Sequence, residues 1–339
     1  MRELLLDYAL YLAQVATVVA AVGAIAAIIA LAVAATRKAR PGDGIRATRL
    51  NERFDDLSAA IEALALPAKE FKAIRKARNK ARKAAAASPR PRIYVLDFKG
   101  DIRASAGSNL REEISAILGI ARSGEEVLVR LDNAGGLVHE HGFASSQLAR
   151  LKAHGLKLTV AVDKVAASGG YMMACIADHI LAAPFAVLGS IGVLAQVPNV
   201  HRALEQRGVD MEMFKGGKYK RTVTVLGRNS DEDRAKYQQE IDEIHALFKQ
   251  FVAEHRPALD LEKVATGEHW FGRDALKLGL CDALGTSDDW LMARRADADL
   301  LQVRYRHRER LGQRLAHAVR DAPAQALDRI VQRLWEARV

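Results

Sequence analysis

The segment VAVDKVAASGGYMMACIADHILAAPFAVLGSIGV, residues 160–193, decides the fold and has Ser168 near its centre. Its first residues continue an apolar, strand-like run. The Ser-Gly-Gly motif then opens an uncharged run, residues 171–177, that predicts a buried helix. Ser168 would therefore lie at a helix N-terminus, where unpaired backbone N–H groups and the helix dipole favour negative charge. Serine is also a common helix cap, and the motif by itself favours that interpretation.

The composition bounds the kind of protein. A chain of 339 residues can form one large domain with appendages or two domains. The formal net charge of +10 favours an acidic neighbour, either phospholipid or nucleic acid. The only cysteines are Cys175 and Cys281, which excludes a disulfide framework and a CxxC metal site. Cys175 lies in the apolar run and is expected to be a small buried side chain.

Residues 1–36 predict a membrane anchor. No charged residue occurs between Tyr8 and Thr36, a run longer than the roughly 20 apolar residues that cross a bilayer as a helix. A secretory signal has a shorter apolar region, so a retained anchor is expected, although small residues before Thr36 permit cleavage. Arginine or lysine follows at positions 37, 38, 40, 46 and 49. By the positive-inside rule these charges place the downstream chain in the cytoplasm.

Residues 37–91 predict a basic, helical connector. Residues 50–87 have a helix-favouring composition, and the basic side chains between Lys72 and Lys83 nearly surround that helix. We expect the helix to lie near anionic lipid headgroups. Nucleic acid is not an expected partner, because no aromatic residues interleave with the charges. The SPRPR sequence at 88–92 ends the helix and marks the domain boundary.

From Arg92 the chain alternates between strand-like and helix-like patterns. The short apolar runs at 92–98, 126–132 and 158–163 predict strands of a covered parallel sheet, and helical patterns lie between them. This rhythm predicts an α/β domain with ligands at the carboxyl ends of the strands. The residues that bind ligand should therefore follow Asp97, Asp132 and Asp163. The second strand leads into LDNAGG and the third into KVAASGG.

The two glycine pairs suggest an oxyanion hole. Gly135 and Gly136 permit a loop whose N–H groups face a ligand, and the N–H of Gly169 lies beside Ser168 in the sequence. Two such donors from different strand ends would stabilise a tetrahedral intermediate. Without Ser168, a tight turn before a helix would be the simpler interpretation of Gly135-Gly136.

The residues alone leave the catalytic base undecided. His139 and His141 follow the glycine loop and would form a Ser-His arrangement with Asp163 or Asp132, but histidine at the start of a helix is usually a solvated surface residue. Lysine is the other candidate, and residues 211–227 offer three. A lysine acts as a base only where burial or nearby positive charge lowers its pKa. These candidates are Lys215, Lys218 and Lys220.

Three blocks resemble the SohB and signal-peptide peptidase A family, membrane-bound serine proteases of the ClpP/crotonase fold. AASGGYMMACIADHILAAPFAVLGSIGV resembles the serine block of that family, and GGKYKRTVTVLGRNSDEDRAKYQQEI resembles its lysine block. VATGEHWFGRDALKLGLCDALGTSDDWL resembles its terminal segment. The similarity extends from about Ile93 to Trp290, and the anchor and connector are similar to those of the SohB branch. The implied fold is α/β, a ClpP/crotonase-like repeated ββα superhelix behind an N-terminal transmembrane helix.

The resemblance also implies roles for individual residues. Ser168 matches the nucleophile and Lys220, in KYKR, matches the general base. Gly136 matches the oxyanion-hole glycine, with Gly169 as the second expected donor, and Ser190 matches a serine that orients the lysine. The family's usual loop is SPGG, whereas this chain has Asn133-Ala134-Gly-Gly and lacks the proline.

The resemblance implies acyl transfer to water without a metal or cofactor. Expected substrates are extended peptides, such as signal-peptide remnants or misfolded membrane-associated chains. The relatives form rings, so a homo-oligomer is expected, and the family places the catalytic domain in the periplasm, against the flanking charges. The alternatives are a catalytically silent scaffold of this fold or an acyl-thioester enzyme. We assign the protease domain to residues 92–300 and a basic amphipathic helical tail, lying on the membrane or packed on protein, to residues 301–339.

Overall fold

The computed structural model describes residues 14–17, 19–23, 44–87 and 90–306. Residues 45–305 form one compact unit. In the other unit, residues 14–17 and 19–23 are helical. Most of the predicted anchor between Tyr8 and Thr36 lies outside the described residues, as does the tail after Arg306. Within the described ranges, no helix has the length and apolarity needed to span a membrane.

In the described part of the chain, ten strands form two sheets. The strands are β1 (Gly44–Arg49), β2 (Arg92–Lys99), β3 (Glu126–Asp132), β4 (Lys157–Val162), β5 (Val165–Ala167), β6 (His179–Ala182), β7 (Val187–Gly189), β8 (His269–Phe271), β9 (Ala283–Leu284) and β10 (Asp299–Arg306). The larger sheet has the order β1-β10-β2-β3-β4-β6-β9, and its pairings from β10 to β9 are parallel. In the smaller sheet, β7 lies between β5, which is parallel to it, and β8, which is antiparallel.

Helices connect and cover the strands. They are α1 (Leu50–Ala65), α2 (Ala68–Ala87), α3 (Gly107–Leu118), α4 (Val138–Ala153), α5 (Gly169–Ala174), α6 (His201–Glu205), α7 (Asp231–His255), α8 (Leu261–Val264), α9 (Gly272–Lys277) and α10 (Ser287–Arg294). The long helix α7 begins with a capping box between Ser230 and Asp233.

The sheet buries both faces, as the apolar strand patterns predict. Along β2, Tyr94, Leu96 and Phe98 belong to one buried cluster, whereas Ile93 and Val95 belong to another. This alternation follows from the two-residue period of a strand. The first cluster includes residues of α3, α4, α5 and α7, and the second includes residues of α1 and α10. The predicted α/β class and the three predicted strands are confirmed.

Segments on both sides of residues 92–300 contribute strands to the large sheet. The connector contributes β1 to the sheet, and Leu50, at the start of α1, is buried in the second cluster. The Asn51 side chain donates to two backbone carbonyls at residues 295 and 298 and accepts from the N–H of Leu300. At the other end, residues 301–306 complete β10 rather than start a helical tail.

Candidate active site

Ser168 lies between β5 and α5 in an unusual backbone conformation. Its φ is 52° and its ψ is −120°. Positive φ is costly for a residue with a side chain, by about 1–3 kcal/mol, and such strain concentrates at functional sites. Among the described residues only Ala104 and Ser190 share this property outside glycine. The surrounding backbone holds the conformation, because the Ser168 N–H donates to the Gly189 carbonyl at 2.8 Å and its carbonyl accepts from Met172 at 3.0 Å.

The Ser168 side chain does not cap α5. It makes no capping hydrogen bond to the helix backbone, and the residue is half-buried. The helix behind it, residues 169–174, is entirely buried. The hydroxyl therefore lies at the boundary between a rigid core and an accessible surface, and capping does not account for the serine.

The glycine loop after β3 reaches Ser168 directly. A side-chain carbon on Gly135 would lie 2.8 Å from both the Ser168 Cβ and the Gly169 nitrogen. A side-chain carbon on Gly136 would lie 2.1 Å from the carbonyl oxygen of Ile102, in the loop after β2. The chain fits between these neighbours only with glycine at both positions. Thus the two glycine pairs, which are more than 30 residues apart in sequence, form one site.

Two backbone donors in this site have no acceptor among the described residues. Within the described part of the chain, neither the Gly136 N–H nor the Gly169 N–H donates a hydrogen bond. The Gly135 N–H differs, because it donates to the Asn133 Oδ1 at 2.9 Å. The unpaired donors are the two that the sequence suggests for an oxyanion hole.

Ser190 lies beside Ser168 at the end of the neighbouring strand. Ala167 is paired with Gly189 in the parallel β5–β7 ladder, so the two serines occupy the next register position. Ser190 also has a φ of 52°, and its N–H donates to the Glu268 carbonyl at 2.6 Å. Both serines therefore lie just after the carboxyl ends of two neighbouring parallel strands.

Lys220 lies in an exposed segment after α6. No hydrogen bond joins the Ser168 hydroxyl to the Lys220 ammonium across the described ranges. Lys220 instead lines a cavity of about 620 Å³ together with apolar side chains that include Met213 and Phe214. The backbone N–H of Lys220 donates to the Gly217 carbonyl at 3.2 Å.

The other two candidate lysines are engaged elsewhere. The Lys215 ammonium donates to the Arg221 carbonyl at 3.2 Å. The Lys218 ammonium lies 2.5 Å from a Glu232 carboxylate oxygen, and this hydrogen bond raises the pKa of Lys218. A raised pKa opposes proton abstraction. Of the three ammonium groups, only that of Lys220 is without a hydrogen bond or ion pair to another described residue.

The histidine alternatives do not form a catalytic arrangement. His139 is exposed and lies 3.8 Å from Glu140. The prediction of a surface position is wrong for His141, which is fully buried. Its ring nitrogens face the Leu137 carbonyl at 2.9 Å and the Asn133 Oδ1 at 3.2 Å. Within the described residues neither histidine forms a hydrogen bond with Ser168, and both ring nitrogens of His141 face other oxygens.

The strand-end aspartates have structural partners. Asp163 accepts from the Ser287 N–H at 2.8 Å and from its hydroxyl at 2.6 Å. Asp132 lies 3.8 Å from the Lys164 ammonium. Asp97 is paired with arginines and lines a separate cavity of about 270 Å³ at the carboxyl ends of the strands. No group of His, Cys, Asp or Glu in the described ranges is arranged to hold a metal ion.

Sequence reasoning missed Asn133 as a site residue. This side chain is fully buried beneath the glycine loop and accepts hydrogen bonds there. Asparagine two residues before a turn commonly bonds its own backbone in this way, so the Asn-Ala-Gly sequence held a usable signal. The burial of His141 next to it had no comparable signal in the sequence.

Comparison with known proteins gives the class of this chain, because the matching family models describe peptidases. The model described as peptidase family S49 N-terminal matches residues 3–148, and the model described as peptidase family S49 matches residues 150–301. The chain belongs to peptidase family S49.

The most similar relatives include proteins named "Probable protease SohB". The one from Haemophilus influenzae is 59% identical over 219 residues, which cover 65% of this chain and 62% of the relative. This chain therefore spans less than two thirds of that relative's length. A relative from Buchnera aphidicola is 49% identical over 228 residues, covering 67% of this chain and 68% of its own. A solved structure of a membrane-bound stomatin-specific protease with a substrate peptide covers 69% of this chain and 100% of its own, with a TM-score of 0.42 and 12% identity.

Proposed function

We propose that this protein is a membrane-anchored serine endopeptidase with Ser168 as nucleophile and Lys220 as general base. The observation that carries the proposal is the environment of Ser168. Its backbone is strained and its side chain caps no helix. Two N–H groups without an acceptor among the described residues lie nearby, one in the glycine loop and one at the first residue of α5. A strained serine beside two backbone donors suits nucleophilic attack on a carbonyl.

The proposed reaction has two acyl-transfer steps. The neutral Lys220 amine takes the Ser168 proton while the serine oxygen bonds to the peptide carbonyl carbon. The resulting oxyanion accepts from the N–H groups of Gly136 and Gly169. Collapse breaks the C–N bond, and the Lys220 ammonium returns the proton to the leaving amine. Water then attacks the acyl-enzyme, with Lys220 as base, and releases the acid and Ser168.

The proposed dyad requires the Lys220 segment to close over Ser168. A lysine accepts a proton only in its neutral form, which desolvation favours. Bound peptide or a second copy of the chain would provide that desolvation for an exposed side chain. We propose Ser190, which lies beside Ser168 in register, as the residue that orients the lysine, and a homo-oligomer as the working form.

The proposed setting is the bacterial inner membrane. Residues 1–36 would anchor the chain, and the basic residues of α2 and of the tail after Arg306 would lie near anionic phospholipid. Expected substrates are extended peptides, including signal-peptide remnants and misfolded membrane-associated chains, bound to a ClpP/crotonase-type domain. We propose a periplasmic catalytic domain. A reporter fused after residue 92 that is active only in the cytoplasm would contradict that orientation.

The competing function is a catalytically silent scaffold or an acyl-thioester enzyme that uses the same two N–H groups. It gains support from the exposed position of Lys220. It gives no account of the strained serine.

Hydrolysis of casein and of a quenched fluorescent peptide distinguishes these proposals. We expect Ser168→Ala and Lys220→Ala each to lower kcat by at least about 1,000-fold, with unchanged melting temperature. Lys218→Ala is the matched control, because Lys218 is paired with Glu232, and it should retain activity. Equal activity in wild type, Ser168→Ala and Lys220→Ala would refute the protease. Loss in Ser168→Ala with activity retained in Lys220→Ala would refute the dyad alone.

A further inference from the structure

Asn133 follows β3 and contacts the segments that contain both glycine pairs, Gly135-Gly136 and Gly169-Gly170. Its side chain is fully buried, and its Oδ1 accepts from the Gly135 N–H at 2.9 Å. Its backbone pairs with β5, because its N–H donates to Val165 and its carbonyl accepts from Ala167. A side-chain carbon on Gly170 would lie 2.1 Å from the Asn133 carbonyl oxygen. One residue therefore touches the loop before α4 and the segment that carries Ser168.

His141, which belongs to α4, contacts the same two segments. Its Nε2 lies 3.2 Å from the Asn133 Oδ1. The Asn133 Oδ1 and the Leu137 carbonyl oxygen, which lies 2.9 Å from Nδ1, can both only accept, so a neutral imidazole donates to one of them. The tautomer with its proton on Nε2 is the one that donates to Asn133. A side-chain carbon on Gly169 would lie 2.4 Å from the ring Cγ, so the imidazole packs directly against the residue after Ser168. The ring fills the space between the helix and the proposed oxyanion hole.

The glycine loop at residues 133–136 needs a conformational restraint for a physical reason. The loop has alanine at 134, where a proline would fix φ, and Gly135 and Gly136 have φ values of +92° and +157°. Such a loop is free to adopt other conformations unless its surroundings hold it. An oxyanion hole works because its donors are already in place when charge develops.

We propose that Asn133 and His141 are positioning residues that hold the glycine loop in the donor geometry of the oxyanion hole. The hydrogen bond from His141 fixes the Asn133 amide, and the Asn133 Oδ1 fixes the Gly135 N–H, which leaves the Gly136 N–H to face the substrate. The pair replaces the conformational restraint that a proline at 134 would supply. This inference rests on the proposed function, since it assigns a support to the same site.

Two replacements of His141 separate its hydrogen bond from its volume. His141→Phe keeps a ring but removes the donor to Asn133, whereas His141→Gln keeps an N–H donor. In peptide hydrolysis we expect His141→Phe to lower kcat about 10- to 100-fold with KM changed less than about threefold, since preorganised donors act on the transition state. His141→Gln should remain within about threefold of wild type. Asn133→Ala should resemble His141→Phe, and the double variant should be no worse than either, because the two act as one unit.

A loop variant tests whether the pair substitutes for proline. Asn133→Ser with Ala134→Pro restores the restraint in the backbone, and the φ of Ala134 is not in the left-handed region. In that background His141→Phe should cost less than about threefold in kcat, because the loop is then held independently. An undiminished cost there would mean that His141 acts by some route other than the loop.

Hydrogen exchange at the Gly135 amide tests the positioning role without measuring catalysis. The chain contains two Ala–Gly pairs, Ala106–Gly107 and Ala134–Gly135, so ¹³C-carbonyl alanine with ¹⁵N-glycine isolates two amide signals in the full chain. The Gly107 N–H donates to the Ala104 carbonyl at 2.7 Å and serves as the internal reference. We expect His141→Phe to accelerate hydrogen exchange at Gly135 at least about tenfold, with Gly107 unchanged and His141→Gln near wild type.

Different results would refute the proposed protease function and the positioning role of Asn133 and His141. Activity retained in Ser168→Ala, or no hydrolysis by wild type, would refute the proposed function, and the exchange measurement would still decide whether the pair holds the loop. Unchanged Gly135 exchange in His141→Phe would overturn the positioning role. So would a loss of activity that follows the melting temperature, or one that appears in KM alone.

Discussion

At the scale of single residues, the close contact between Gly170 and Asn133 gives a direct test of the site's packing. A methyl group on Gly170 would lie 2.1 Å from the Asn133 carbonyl oxygen, which is backbone and cannot rotate away. We expect Gly170→Ala to displace the glycine loop, with about 1–3 kcal/mol lost from the free energy of unfolding and at least about a tenfold loss of peptide hydrolysis. Thermal unfolding and kcat measure the two effects.

Gly142→Ala is the matched control at that scale. Gly142 lies within α4, and nothing is within 4 Å of where its side-chain carbon would be. Alanine there should be neutral or stabilise the fold by about 0.5–1 kcal/mol, because it restricts the unfolded chain and favours the helix. A Gly170→Ala protein as stable and as active as Gly142→Ala would contradict the tight packing around Asn133.

Residue identity indicated the location of this candidate site better than it indicated the packing around it. Ser168 and the glycine pairs stand out because few residue types suit strained turns. The burial of His141 did not, because a histidine near the start of α4 is compatible with either the solvent side or the side facing Gly169. That choice depends on how α4 docks against the Ser168 segment, which is a tertiary contact. Lys220 was selected from the three candidate lysines only by resemblance, and its approach to Ser168 remains a prediction.

At the scale of elements, a buried carboxyl between α3 and β10 predicts a pH effect on stability. Glu113 accepts from the Tyr305 N–H at 2.8 Å. Burial raises the pKa of Glu113 to about 7 from an ordinary value of 4.5, with a further rise from Asp97. Between these values the folded state binds more protons than the unfolded state, so stability falls as the pH rises through this range and is lowest above it. Glu113→Gln keeps the acceptor and should flatten that dependence.

Chemical denaturation at pH 5 and pH 8 would measure this effect. We expect Glu113→Gln to raise the free energy of unfolding by about 1–2 kcal/mol at pH 8 and to change it little at pH 5. Glu112→Gln, on the exposed side of the same helix, should change stability by less than about 0.5 kcal/mol at both. An equal effect of the two substitutions at pH 8 would show that the burial of Glu113 does not control the dependence.

The elements that the sequence predicted are those with a strong period. Strands β2, β3 and β4 have apolar side chains on both faces. The short edge strand β1 has nearly every residue exposed, so its sequence has no apolar alternation to reveal it. The break between α1 and α2 falls at Pro67, which the helix-favouring composition around it concealed.

At the scale of the whole molecule, the parallel order of the large sheet follows from the alternation of strands and helices. The association of copies of the chain does not follow from that alternation. A crossover helix between neighbouring strands makes the sheet parallel and buries both of its faces, so local patterns suffice to predict this architecture. Contacts between copies of the chain involve surfaces whose sequences have no required period. The expectation of a homo-oligomer therefore came from resemblance.

The segment around Lys220 supplies a physical argument for that assembly. Residues 209–226 expose several large apolar side chains, and Phe214 is 90% exposed. Contiguous apolar surface of this kind marks interaction sites in soluble domains. We expect Phe214→Asp to shift the detergent-solubilised protein toward monomer and to lower peptide hydrolysis, because the neighbouring copy in the proposed oligomer would cover Lys220. Light scattering with size-exclusion chromatography measures the first effect.

Leu64→Asp tests whether any exposed apolar residue would behave in the same way. Leu64 is 92% exposed on α1, outside residues 209–226, so the substitution adds the same charge on another element. We expect that variant to keep the wild-type mass and activity. A monomeric wild-type protein would contradict the oligomer, and dissociation by Leu64→Asp but not by Phe214→Asp would place the interface away from the lysine segment. Dissociation with full activity would mean that each copy completes its own dyad, so that substrate alone covers Lys220.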